Sequence, residues 1–256
     1  MNQRRRYRNP PIEEALCEFR FLADQDWDPT IPGKLYAELG EEYRGKPQGQ
    51  KVMNVTLNAQ EGQPSRLSYE EGFAKTQLVT EDGKRQVGVG KDVLSVHMLR
   101  PYQDPLHPKQ SGWDEFQPRI DRALDAYWNV IRPKGVNRVG IRYINKIVIP
   151  QREVSVEKYL KCALTEVSGL PNLQRNFMCR IEYDYEDEVR LVLSQGTTDA
   201  PEAHVGLLLD LDVIWETAES VAQDQALAKV DDLRLREREA FETVITDKAR
   251  ELFDAD

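Results

Sequence analysis

Two aspartates stand one residue apart, Asp210 and Asp212, inside the apolar run Leu207-Leu-Leu-Asp-Leu-Asp-Val-Ile-Trp215. On an extended strand, residues two apart project to the same side. With a third carboxylate such as Asp184 they would form the oxygen donor set that a hard divalent cation takes. A second group lies in Arg138-Val-Gly-Ile-Arg-Tyr-Ile-Asn-Lys-Ile-Val-Ile-Pro150. There Val139, Ile141, Tyr143, Ile147 and Ile149 share one side with Asn145, while Arg142, Ile144 and Lys146 share the other. The Arg142 fork suits a carboxylate or phosphate held by two hydrogen bonds. Asn145 sits among apolar neighbours, where an unmatched polar group costs about 1–3 kcal/mol, so defined hydrogen bonds are expected of it. Glu18 and Arg20 near the start, and Arg180 with Glu182 and Asp184, belong to strands of the same kind. The expected recognition surface therefore has Arg20, Arg142, Lys146 and Arg180 as donors and Glu18, Asp210 and Asp212 as acceptors, and Asn145, on the opposite side of its strand, is counted as a binding residue with them. The competing use of these charges is cross-strand pairing for solubility, at about 0.2–1 kcal/mol each.

Other chemistries have no motif. There is no P-loop, dinucleotide glycine fingerprint or GxSxG elbow, and Gly88-Val89-Gly90 leads into a strand pattern rather than the helix a phosphate loop needs. Cys17, Cys162 and Cys179 form no CxxC pair and leave one thiol over under any disulfide scheme, so structural thiols are expected. His97, His107 and His204 lack metal-type spacing. No catalytic residue, metal site or cofactor is expected.

The elements that must position these side chains follow from periodicity. Ala15 to Leu22 alternates as a half-buried strand, and Ile31 to Leu39 reads as a helix capped by Asp28 or Thr30, with Leu35, Tyr36 and Leu39 on one face. Strands are expected over 52–57, 66–70, 73–80 and 86–100, with an Asp82-Gly83 hairpin turn. A helix spans about 113–131, its regular part beginning near Pro118. The order then recurs: a strand over 138–149, a helix over 155–167, a hairpin of 176–185 with 188–195, a long strand over 203–216, and one closing amphipathic helix over 225–253. The expected fold is α+β, a single domain over 1–256. Its two pseudo-repeats, 9–132 and 133–256, would share one antiparallel sheet with helices on one face.

Composition narrows the function. The chain has 256 residues, 40% hydrophobic and 31% charged, as in soluble globular proteins. No apolar run approaches the ~20 residues that span a bilayer, and the basic start leads into Asn9-Pro10-Pro11 rather than a signal core, so a cytoplasmic protein without a membrane partner is expected. The formal charge is −9, with 19 basic against 20 acidic residues in 1–132 and 16 against 24 in the remainder. Such a balance argues against a generic polyanion binder. The exception is the short arm Arg4, Arg5, Arg6 and Arg8.

The stretch Asn9-Pro-Pro-Ile-Glu-Glu-Ala-Leu-Cys-Glu-Phe-Arg-Phe21, the segment from Trp27 through Pro32-Gly-Lys-Leu-Tyr36, and the Arg142-Tyr-Ile-Asn145 marker resemble a sporadically distributed prokaryotic family of about this length. That resemblance implies the fold and a patchy, mobile-gene-like distribution, and it carries no site residue. The element order also resembles the duplicated architecture of TATA-box-binding-protein-like folds. The expected function is a non-catalytic binding protein that engages a protein partner through the polar sheet face or the groove between repeats. Nucleic-acid binding through the sheet and the basic arm, or a metal-dependent enzyme centred on Asp210, are the alternatives.

Overall fold

The computed structural model describes residues 5–22, 27–58, 66–104, 107, 110–161 and 176–254, with the backbone alone over 50–58 and 66–74. The fold is α+β, and the described residues form one nine-stranded antiparallel sheet with four α-helices. The strands are β1 (Ile12–Phe21), β2 (Gln48–Asn58), β3 (Arg66–Val79), β4 (Arg85–Val89), β5 (Val93–Leu99), β6 (Val136–Ile149), β7 (Met178–Asp184), β8 (Val189–Thr198) and β9 (Val205–Val221). Their spatial order is β2-β3-β4-β5-β1-β6-β9-β8-β7. The two strands singled out from sequence, β1 and β6, are thus adjacent at the middle of the sheet, with Glu18 opposite Gly140 and Leu16 opposite Arg142.

Helix α1 (Ile31–Leu39) buries Ile31, Leu35 and Leu39. The Asp28 carboxylate accepts from the Thr30 backbone N–H at 2.8 Å and from Lys34 at 3.1 Å, which fixes the chain where the helix begins. Tyr36, expected on the buried face, is 37% exposed, because the apolar stripe needs only the i, i+4, i+8 positions. Helix α2 (Trp113–Ile131) turns Phe116, Ile120, Leu124 and Tyr127 inward, and Phe21 of β1 stacks on Tyr127 with ring centroids 4.3 Å apart. Helix α3 (Gln223–Val244) packs on β6 and β9. It buries Ala226, Val230, Leu233, Glu237, Ala240 and Val244, a stripe alternating steps of four and three.

Several expected boundaries differ. The closing helix over 225–253 is two, because the chain turns extended at Ile245 before α4 (Asp247–Asp254) begins. Within the expected helix over 155–167, the described part holds only a 3-10 turn, Val156–Lys158, after which Leu160 makes a β-bridge to Ile245. One turn and a bridge suffice to bury Tyr159 and Leu160, so their helical spacing had another solution. Residues 162–167 lie outside the described residues. The expected strand 86–100 is the hairpin β4–β5, and the expected strands 66–70 and 73–80 are one continuous β3.

The core lies between the sheet and the helices. Ala15, Cys17 and Phe19 of β1, Ile141 and Tyr143 of β6, and Leu209, Leu211 and Val213 of β9 are at most 1% exposed. Cys17 is wholly buried among them and burial pushes its thiol up, as befits a small core hydrophobe. Cys179 is partly exposed, and Cys162 lies outside the described residues.

Candidate functional site: the polar face of the sheet

The alternation that buries one side of β1, β6 and β9 turns Glu18, Arg20, Arg138, Arg142, Asp210 and Asp212 to the other. These strands are neighbours, so the side chains come together. Glu18 is the hub. Its Oε1 accepts from Arg138 Nη1 at 2.9 Å and Arg20 Nε at 3.0 Å, and its Oε2 accepts from Lys75 Nζ at 2.7 Å. Burial opposes the Glu18 charge, and Lys75, Arg20 and Arg138 more than overcome it, bringing its pKa down to about 2. One strand pair further on, Arg142 holds Asp210 by two bonds, Nε to Oδ1 at 2.8 Å and Nη2 to Oδ2 at 2.6 Å. This is the bidentate geometry in which an arginine fork exceeds a lysine. Asp210 is 8% exposed, whereas the Arg142 side chain keeps 38% of its surface in water.

Asp212 differs from both. Burial pushes its carboxyl up to about 6, and the pull of Arg142 and Arg138 recovers only part of the shift. Among the described residues no hydrogen bond or ion pair engages it. The surface therefore contains a saturated carboxylate, a paired carboxylate and an unfilled one in close succession.

The outlying members of the expected set take local partners. Lys146 Nζ lies 2.9 Å from Asp199, and the exposed Arg180 pairs with Glu182 at 2.7 Å. Asp184 is in register with Arg190, which is opposite Ile214, so it lies two strands from the aspartate pair and in another row. With Asp210 occupied by Arg142, the three carboxylates do not make a cation site. Among the described residues no three His, Cys, Asp or Glu groups are arranged to hold a metal ion. Asn145 is on the opposite, helix-covered side at 1% exposure, with Nδ2 donating to the Leu209 carbonyl at 3.1 Å and the Tyr143 carbonyl at 3.3 Å.

A further chain of hydrogen bonds joins the polar face and was not anticipated. His97 Nδ1 lies 2.7 Å from Glu14 Oε1, and His97 Nε2 lies 2.9 Å from Ser95 Oγ. Lys75 Nζ reaches Ser95 Oγ at 3.3 Å and so ties this chain to Glu18. Carboxylate, imidazole and hydroxyl in sequence are the parts of a nucleophilic triad. Ser95, however, is wholly buried, and a Cβ added at Gly88 would lie 2.5 Å from its hydroxyl. A nucleophile must reach its substrate, so in this conformation the chain is a structural brace and Gly88 is the residue that leaves it room. The signal available in sequence was Ser95 and His97 two apart on one strand.

The arm does not extend the polar face. Arg5 pairs with Asp254 at 2.8 Å and Arg6 with Asp114 at 3.0 Å, at the ends of α4 and α2. Arg4 lies outside the described residues. No described helix is long and apolar enough to cross a membrane. No protein-family model matches the chain, and no curated protein matches it.

Proposed function

We propose that the chain is a non-catalytic binding protein whose polar sheet face engages a protein partner through a basic side chain seated at Asp212. The observation that carries this reading is the contrast among three neighbouring carboxylates. Glu18 and Asp210 are filled by the chain's own cations, and Asp212 is left without one in a site that raises the cost of its charge. A partner's lysine or arginine would remove that cost, and the surrounding charges of both signs would reject poorly matched surfaces. The nucleic-acid reading has less support, since Arg20, Arg138 and Arg142 are already neutralised by carboxylates, and Arg5 and Arg6 are paired on the helix side. A metal-dependent enzyme at Asp210 would have to displace Arg142.

We place the protein in the cytoplasm of a prokaryote, in a mobile or defence-type system. We also read residues 9–132 and 133–256 as two pseudo-repeats about the β1–β6 seam, in a TATA-box-binding-protein-like arrangement. What supports the repeat is the sheet order: each half's first strand is central, and pairs outward with that half's last strand, β5 or β9. The test is affinity capture from the native host with wild type and with Asp212→Arg, analysing protein and nucleic acid together. A protein retained by the wild type and lost by the reversal is expected. Capture indifferent to Asp212→Arg, a bound nucleic acid as the sole species, or substrate turnover abolished by Asp210→Asn would overturn the reading.

A further inference from the structure

On the other side of the sheet a cavity of about 490 Å³ opens between the arm, the N-terminal end of α2, the middle of α3, and β6. That volume is within the usual small-molecule range of about 300–1,000 Å³. Its walls include Trp113, Tyr143, Tyr102 and Phe241, with charged residues at its rim and Arg234, Glu237 and Asn145 set deeper.

Arg234 is central. Its guanidinium lies over the Tyr143 ring at 4.7 Å from the centroid and over Trp113 at 5.4 Å. Among the described residues only its Nη1 is used, donating to Glu237 Oε2. The remaining N–H groups of the fork have no acceptor among the described residues, and the side chain is 18% exposed. Glu237 is 3% exposed, and Arg234 is its one hydrogen-bonding partner among the described residues. Tyr102 and Tyr143 join their hydroxyls at 2.8 Å, an arrangement that uses one O–H proton and leaves the other. Asn145 also lines the cavity, and its buried Oδ1 accepts nothing. The cavity therefore holds spare donors beside spare acceptors, with Asn145 Oδ1 wholly buried among them.

The charge balance chooses the ligand. Arg5, Arg6, Arg234 and Arg238 line the cavity on the cationic side. Asp114, Asp231, Glu237 and Glu242 line it on the anionic side. Arg6 and Asp114 are paired with each other, Arg5 with Asp254 and Glu242 with Arg250, so the rim adds no surplus for a phosphate ester, and the Arg234–Glu237 pair offers one group of each sign to a molecule that carries both itself.

We infer that this cavity binds a small zwitterion of the amino-acid or dipeptide class, its carboxylate on the free edge of Arg234 and its ammonium toward Glu237, with Asn145 Oδ1 as a second acceptor. The apolar part of the ligand rests on the aromatic walls. The site is independent of the polar face, and its failure would leave the reading of Asp212 untouched.

The test is calorimetric titration of the full chain with leucine, phenylalanine, arginine and leucyl-phenylalanine, followed by the N-acetylated and C-amidated form of whichever binds, with adenosine monophosphate as the phosphate probe. One of the zwitterions is expected to bind, and each capped form to lose about tenfold or more, the loss that follows one missing charge-assisted bond. Arg234→Lys, which keeps the charge and removes the fork, is expected to weaken binding by a similar factor. The ligand series uses the wild-type chain, so it decides the matter even if the variant is unstable. Binding of none of the four zwitterions, capped forms that bind as well as the parent, or a nucleotide that binds in preference overturns the proposal.

Discussion

The two faces of one sheet handle charge in opposite ways. On the open face, ionised groups meet directly and in number: Glu18 takes three cations and Arg142 takes Asp210 by both oxygens. On the helix-covered face the pair of Arg234 with Glu237 lies beside aromatic rings with much of its bonding capacity unused. Burial alone does not explain the contrast, since Lys75 is 14% exposed on one face and Arg234 is 18% exposed on the other. The difference is saturation. A saturated cluster rigidifies and resists change, whereas an unsaturated one carries a standing cost that a ligand removes. Function is therefore sought where partners are missing: the cavity on one face and Asp212 on the other.

The largest effect should come from the covered pair. Arg234→Met leaves the Glu237 carboxyl deep in the protein without its cation, and burial already pushes that group up to about 7. Loss of one partner of such a pair costs about 3–5 kcal/mol, to be read from urea denaturation of both proteins. Replacing both partners with apolar residues, Arg234→Met with Glu237→Leu, should restore most of the loss, because neither charge then needs solvating. If the single variant costs less than about 1 kcal/mol, the pair is solvated like a surface bridge and the contrast between the faces collapses.

That pair also marks the limit of what the sequence discloses. The alternation along β1, β6 and β9 sorted the inward from the outward side chains, because a one-residue error would have turned Leu207, Leu209 and Leu211 to the open face. Even Asn145 fell on the correct side by this criterion. Glu237 was open to the same reasoning: it occupies the stripe of Ala226, Val230, Leu233, Ala240 and Val244, where the period demands an apolar residue. A carboxylate on an apolar stripe is a signal, and it is lost when only the apolar members are counted. By contrast, Ser95 and His97 two apart on one strand were open to sequence reasoning, and their contact with Glu14 was not. That contact depends on β1 and β5 being paired with Leu16 opposite His97 and Glu18 opposite Ser95, a register set across about 80 residues of intervening chain rather than by local pattern. The same holds for Arg142 with Asp210, a diagonal contact between β6 and β9 that needs the register of both strands.

On the open face the next effect belongs to Glu18. Its folded pKa of about 2 lies below the ordinary value of 4.5, so the carboxylate contributes stability that is complete above pH 4.5 and is lost as pH falls toward 2. Glu18→Gln removes that contribution and leaves Lys75 and Arg138 facing each other without a counter-charge. A loss of roughly 2–3 kcal/mol at pH 7 is expected, shrinking as the pH is lowered through 4. Denaturation curves at pH 7 and pH 3 measure it. A loss equal at both values would mean that the hub acts by packing and not by charge, which would remove saturation as the feature that separates the two faces.

The smallest effect has the opposite sign. Burial raises the Asp212 carboxyl to about 6 against an ordinary 3.8, so the folded chain holds this proton more tightly than the unfolded one. Between those values the folded state binds more protons, and stability falls as pH rises. Above pH 6 the group is ionised in both states and its full cost is present. Asp212→Asn deletes the ionisation and keeps the shape, so it should stabilise the free protein by about 2 kcal/mol or less at pH 7, with the gain fading toward pH 4. At the same time it should weaken partner capture, because the cationic contact proposed for this position loses its counter-charge. A gain in stability coupled to a loss of binding is the signature of a group kept for function at the expense of the fold. If Asn at this position instead destabilises the chain at pH 7, Asp212 is part of the saturated network with Glu18 and Asp210, and the open face offers a partner no unfilled charge.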